Sequence, residues 1–148
     1  MSRFDLTPPS PEQRQRLESS LTREEREVLL HQGTEHPFCG QFVHEKKAGV
    51  YCCRLCGLPL FRATQKFDSG TGWPSFTEPY DRAHLREYRD ISHLMVRTEI
   101  RCARCDSHQG HVFPDGPPPT GMRYCINSVA LQFTAEGQPL PDPLGRGE

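Results

Sequence analysis

The 148-residue chain has no stretch approaching the roughly 20 apolar residues that a membrane-spanning helix requires. Its first residues, Met1-Ser2-Arg3-Phe4-Asp5, carry no apolar signal-peptide core. These two absences set the expectation of a cytoplasmic protein that does not engage a membrane. Neither sign of charge is in excess: 18 Lys and Arg stand against 19 Asp and Glu, for a formal net charge of −1. The basic side chains are scattered, without the stripe that a nucleic-acid surface needs. No partner of that kind is expected. There is no long-period repeat, which excludes a solenoid. Tryptophan occurs once, at Trp73, so that residue draws attention by its rarity.

What is present points elsewhere. Fourteen Pro and 12 Gly predict many turns and short strands. The length suits one domain with a real core, and a monomer is expected. Seven cysteines in a reducing compartment suggest metal binding or redox chemistry and not a disulfide framework.

Residues 1–9 read as a loose polar tail. Ser10 and Pro11 open a helix that runs to about Ser20. Thr22 and Glu25 form a capping box for a second helix that ends near Gly33. Residues 10–33 are therefore a helical arm. Residues 34–135 carry short strand-like runs at 41–44, 50–52, 58–61, 94–100, 111–113 and 123–133. Residues 136–148 read as a Gly/Pro-rich tail. The expectation is a mainly β fold of antiparallel sheets behind a helical arm, one domain over 10–135.

Cys53-Arg54-Leu55-Cys56 and Cys102-Ala103-Arg104-Cys105 are two C-x-x-C pairs, each followed by a turn residue. Such knuckles supply four thiolates for a tetrahedral structural Zn2+; two unrelated redox pairs are the other reading. A metal would staple two distant hairpins and close a long loop. Cys52 points away from Cys53 in a strand and reads as a small core residue.

Along the run Arg123-Tyr124-Cys125-Ile126-Asn127-Ser128, period-two alternation puts Arg123, Cys125 and Asn127 on one face. A neighbouring cation favours the thiolate, the nucleophilic form; a buried structural Cys is the plainer reading. A redox enzyme with one nucleophilic Cys needs a second to resolve its oxidised form. Cys39, in a loop beside Gly40, is the candidate, against a spectator thiol. His108 and His111 follow the second knuckle. They suit zinc ligation, or acid and hydrogen-bond work, and four thiolates already close a zinc shell. Trp73 lies between a Gly-rich loop and Pro74. It reads as a rigid aromatic wall suited to a methyl-sulfur group, or as ordinary core.

The knuckles, residues 66–76 (Lys-Phe-Asp-Ser-Gly-Thr-Gly-Trp-Pro-Ser-Phe), residues 110–117 (Gly-His-Val-Phe-Pro-Asp-Gly-Pro) and residues 123–128 together resemble the B-type methionine sulfoxide reductases. The match runs from about Gly33 to Phe133. The resemblance implies two antiparallel sheets with an N-terminal helical segment and a structural zinc on Cys53, Cys56, Cys102 and Cys105. It implies reduction of methionine R-sulfoxide in peptides and proteins by Cys125, through a sulfenic acid and an intramolecular disulfide that thioredoxin reduces. It places Trp73 against the substrate methyl group, His108, His111 and Asn127 along the sulfoxide pocket, and Arg123 near the nucleophile. Two positions depart from the family. Thr71 stands where many members carry the resolving Cys, which strengthens Cys39 as the substitute. Gln109 stands where Leu is usual, with a small local effect expected. The rival classes are a zinc-knuckle binding module for protein or nucleic acid, and a zinc hydrolase.

Overall fold

A computed structural model describes residues 3–147 of the protein, without the His93 side chain. Two helices open the described residues. Helix α1 spans Pro11–Ser19, with Ser10 accepting from the Gln13 amide and Gln13 Oε1 accepting from the Ser10 amide. Helix α2 spans Arg23–His31 and carries the expected Thr22–Glu25 capping box. Its end is set one residue earlier than expected: Gln32, at φ 58°, takes the left-handed position. Val28 and Leu29 of α2 are buried and fix the helix to the core.

The strands are β1 (Gly49–Cys53), β2 (Pro59–Arg62), β3 (Lys66–Phe67), β4 (Ser75–Phe76), β5 (Leu85–Asp90), β6 (Arg97–Cys102), β7 (His108–Phe113), β8 (Arg123–Ile126) and β9 (Leu131–Ala135). They form two sheets, ordered β2-β1-β9 and β3-β4-β8-β7-β6-β5, and every pairing is antiparallel. This is the expected fold class. The sheets meet through rings. Phe61 of β2 stacks on Phe76 of β4 at 4.3 Å, and Tyr51 of β1 meets Phe76 edge-on at 5.2 Å. All three are fully buried, and each ring contributes roughly 2–3 kcal/mol of burial.

Four expectations need revision. Residues 41–44 form turns, because Ser128 Oγ takes the Phe42 amide that a strand partner would have used. The strand expected over 94–100 starts at Arg97, since Leu94 ends a 3-10 turn with φ 58°. The run 123–133 is broken by a 3-10 turn at Ser128–Ala130, which carries the chain from the large sheet to the small one. The tails are not loose where they are described. Phe4 is buried against Tyr80 and His84, and Arg146 donates to the carbonyls of Asp5 and Thr7. Met1, Ser2 and Glu148 lie outside the described residues.

Candidate active site and metal centre

Strand β8 lies between β4 and β7, so Cys125 has Ser75 on one side and His111 on the other. Residues directly opposite in an antiparallel pair share a face, with Cβ atoms about 4.5–5.5 Å apart. Cys125 and His111 are such a pair, and so are Arg123 and Phe113. β7 comes this close to β8 only because residue 110 is Gly: a Cβ there would run into the Cys125 carbonyl. The shared face opens into a cavity of about 270 Å3 lined by Thr34, Thr71, Trp73, Arg97, Gly110, His111, Phe113, Arg123, Cys125 and Asn127.

The Arg123 guanidinium lies over the Phe113 ring at 4.4 Å, and its fork binds Asp115 through bonds of 3.0 and 3.1 Å. That cation and the Thr71 hydroxyl pull the Cys125 thiol toward its charged form, but burial is the larger effect and holds its pKa above the ordinary value. The expected activation by Arg123 therefore operates in direction and is outweighed in sum. His111 Nε2 donates to Asp90 Oδ2 at 2.8 Å. Burial pushes His111 below its usual pKa, and Asp90 offsets part of that shift. Asp90 is itself held well below the carboxylate range by hydrogen bonds from Ser92 and His111 and by the nearby Arg97 cation.

His108 does not line this cavity. It is buried with its Nδ1 donating to Glu99 Oε2 at 2.7 Å, and its ring centroid lies 5.5 Å from that of His111. Between Ile100 and Arg101 the register slips by one residue on β7, a bulge that leaves Gln109 without a cross-strand partner. The bulge turns His108 to the side of His111 and leaves Gln109 fully buried. Asn127 borders the cavity, but both ends of its amide are engaged by main chain. Nδ2 donates to the Gln109 carbonyl at 3.0 Å, and Oδ1 accepts from the Glu35 amide at 2.9 Å. Trp73 is half-buried, its indole N–H donating to the Glu35 carbonyl at 3.0 Å.

Cys39 is exposed and does not border the cavity; it lines two other depressions, beside α2 and Ser128. Its loop is nonetheless fastened to the cavity wall. The Phe38 amide donates to the Gly72 carbonyl at 2.7 Å, and the Glu35 amide donates to Oδ1 of Asn127, a lining residue, at 2.9 Å.

The four knuckle cysteines come together on the other side of the Gln109 strand. Their sulfurs all lie within 4.8 Å of one another, with Cys53–Cys105 at 3.6 Å and Cys56–Cys102 at 3.5 Å. A tetrahedral zinc with sulfur bonds of about 2.3 Å has S–S edges of about 3.8 Å, so the donor set fits the expected metal. Each knuckle turns on a residue with positive φ, Gly57 at 81° and Asp106 at 62°. The amides of these two residues donate back to the carbonyls of Cys53 and Cys102 at 2.9 Å. Ser107 Oγ lies 3.1 Å from Cys105 Sγ, and Gln109 Nε2 donates to Cys53 Sγ at 3.5 Å. Four thiolates leave excess negative charge. Buried Arg104 donates to the Cys56 carbonyl, and Arg14 to that of Cys105. The shell has no open position for a hydrolytic water. Cys52 is fully buried, as expected, with its thiol pushed up to about 12 by burial.

Sequence reasoning missed Asp90, Arg97 and Glu99. The signal was available in principle: a working His needs a carboxylate or carbonyl to orient it. Choosing that carboxylate required the β6–β7 register.

A model of the SelR domain family matches residues 21–135. A protein of Caulobacter vibrioides (strain NA1000 / CB15N), named "Peptide methionine sulfoxide reductase MsrB", is 66% identical over 98% of this chain and 91% of its own length. Proteins of the same name from Xylella fastidiosa (strain M23) and Pseudomonas putida (strain KT2440) are 61% and 58% identical. These alignments cover 98% and 78% of this chain, and 94% and 88% of the relatives. The fold and the cysteine arrangement define a SelR-type domain with a cluster of four cysteines that could hold a metal ion. The chain belongs to the B-type methionine sulfoxide reductase family.

Proposed function

We propose that the protein reduces methionine R-sulfoxide in peptides and oxidised proteins to methionine, with Cys125 as nucleophile, Cys39 as resolving thiol and thioredoxin as the reductant. The observation that carries this reading is the pairing of Cys125 with His111 inside a cavity walled by Trp73, Arg123 and Phe113.

The Cys125 sulfur attacks the sulfoxide sulfur, and a proton from His111 goes to the sulfoxide oxygen. With Nε2 committed to Asp90, Nδ1 is the nitrogen that passes it. The hydroxyl then transfers to the Cys125 sulfur, the S–S bond breaks and methionine leaves. Two electrons have moved from Cys125 to the substrate, and Cys125 is a sulfenic acid. Trp73 packs on the substrate methyl group. Asn127 and His108 act mainly by holding the wall, through Glu35 and Glu99.

The Cys39 thiol then displaces the sulfenic hydroxyl as water, forming a disulfide that thioredoxin reduces by exchange. Thr71 borders Cys125 with a hydroxyl in the position where many members of the family carry a thiol. Cys52 is a poor alternative, buried and hard to ionise. Cys39 lies outside the Cys125 cavity, and the disulfide forms once the two Cα atoms stand about 4.4–6.8 Å apart. Cys53, Cys56, Cys102 and Cys105 would hold a Zn2+ that ties the two hairpins together, and no step passes through it. Residues 10–135 act as one reductase domain, monomeric and cytoplasmic. An assay on peptides carrying separate R and S epimers tests the reading. Only the R peptide is expected to be reduced; turnover of neither, or of both equally, overturns it.

A further inference from the structure

Among the described residues, the exposed large apolar side chains are Phe38, Ile91, Leu94, Met95 and Val96, at 61, 69, 105, 50 and 69% exposure. They are confined to two loops, and both loops are fastened to the wall of the Cys125 cavity. Residues 91–96 run from Asp90, which holds His111, to Arg97, which lines the cavity. Phe38 is tied to Gly72, next to Trp73. Strand order separates the two attachments, because Trp73 precedes β4, Arg97 opens β6, and β8 and β7 lie between them.

The outward display is built into the backbone. Leu94 and Phe38 are two of the four non-glycine residues with positive φ among the described residues, at 58° and 65°. That conformation is costly for a bulky residue and is held only where surroundings dictate it. Around Leu94 they do. Asp90 accepts from the Ser92 amide at 2.9 Å, the Met95 amide donates to the Ser92 carbonyl at 3.1 Å, and Arg97 clamps Asp90 at 3.3 Å. Water-exposed apolar groups of this size, held on both flanks of one cavity, mark a contact surface.

We infer that Phe38 and the 91–96 loop are apolar lips that grip apolar residues on either side of the methionine sulfoxide, so that the sequence around the sulfoxide sets how well a peptide is bound. The inference rests on the reductase reading above and names its preferred substrate. Methionine is a core residue, and its oxidation disrupts the core around it. The segment that then becomes available carries apolar neighbours on both sides of the sulfoxide, which matches lips on both flanks.

The test uses dithiothreitol and, in a parallel series, thioredoxin as reductant, with three substrates: N-acetyl-methionine R-sulfoxide, a pentapeptide with the R-sulfoxide between Leu-Val and Val-Leu, and one with it between Ser pairs. The wild-type chain should favour the apolar peptide over the Ser peptide by about tenfold in kcat/KM, mainly through KM. The triple variant Ile91→Ser/Leu94→Ser/Val96→Ser, and Phe38→Ser separately, should lose that preference while N-acetyl-methionine R-sulfoxide turnover stays within about twofold. Absence of the preference, its persistence in the variants, equal loss on all three substrates, or loss seen only with thioredoxin as reductant each overturns the inference. A wild-type chain that reduces none of the three overturns the reductase reading itself.

Discussion

The four-cysteine cluster and the Cys125 cavity use the same side chain in opposite ways. Cys53, Cys56, Cys102 and Cys105 are buried, converge within 4.8 Å, and have sulfur contacts supplied by Ser107 and Gln109. Each thiol there has a partner, and nothing is left to react. Cys125 is half-buried in an open cavity, with a cation and a hydroxyl near it and a titratable His across the strand pair. On the proposed reading, reactivity follows from the unfinished coordination around a sulfur and not from the cysteine itself. The two regions are joined at Gln109. Its side chain donates to Cys53 Sγ and its carbonyl accepts from Asn127.

The contrast can be broken at either end. Cys125→Ser should lower sulfoxide reduction about a thousandfold or more while leaving metal content and melting temperature unchanged. Cys102→Ala should do the reverse first. Structural zinc carries on the order of 10 kcal/mol of binding free energy that is also folding free energy. Metal loss and a lost cooperative thermal transition are therefore expected in circular dichroism and metal analysis, with inactivity as the consequence.

A smaller effect is expected at Asp90→Asn, about tenfold in kcat/KM. Asp90 favours the imidazolium of His111 against the burial that opposes it, so its removal lowers the His111 pKa further. Activity that depends on the imidazolium falls as pH rises through that pKa, and in the variant this limb should move to lower pH. Asp90 also has a stability sign. Its folded pKa is depressed, so its contribution is present above the unfolded carboxylate pKa and is lost as pH falls through the folded one. The smallest effect is at Gln109→Leu. Loss of one buried N–H to sulfur bond, worth about 1 kcal/mol, should speed metal transfer to a colorimetric chelator several-fold with kcat little changed.

The parts legible in the sequence were those whose geometry is local. A C-x-x-C pair brings its two sulfurs together by itself, and alternation along β8 puts Arg123 on the face of Cys125. Both capping boxes were local as well, although Gln13 completes the first one unnoticed. What escaped depended on register. Glu99 reaches His108 only because the bulge at Gln109 re-aims that His. Asp90 reaches His111 across β6 from β5, the edge strand. The residues of β5, Leu85 to Asp90, are almost all polar or charged, so an apolar alternation had nothing to show there. Leu94, Met95 and Val96 misled in the opposite sense. They look like the start of a buried strand and are instead displayed to water. A run of apolar residues reports hydrophobicity, and only the fold decides whether it is core or contact surface.

The most direct measurement is the disulfide formed after one turnover. The reduced, metal-loaded chain receives one equivalent of R-sulfoxide peptide without reductant, is alkylated, and is mapped by mass spectrometry. The structure and the chemistry proposed for it predict one methionine released per chain, loss of two hydrogens, a Cys39–Cys125 cross-link, and Cys53, Cys56, Cys102 and Cys105 outside any disulfide. A cross-link from Cys125 to Cys52, or a Cys125 sulfenic acid that persists with Cys39 free, would contradict it.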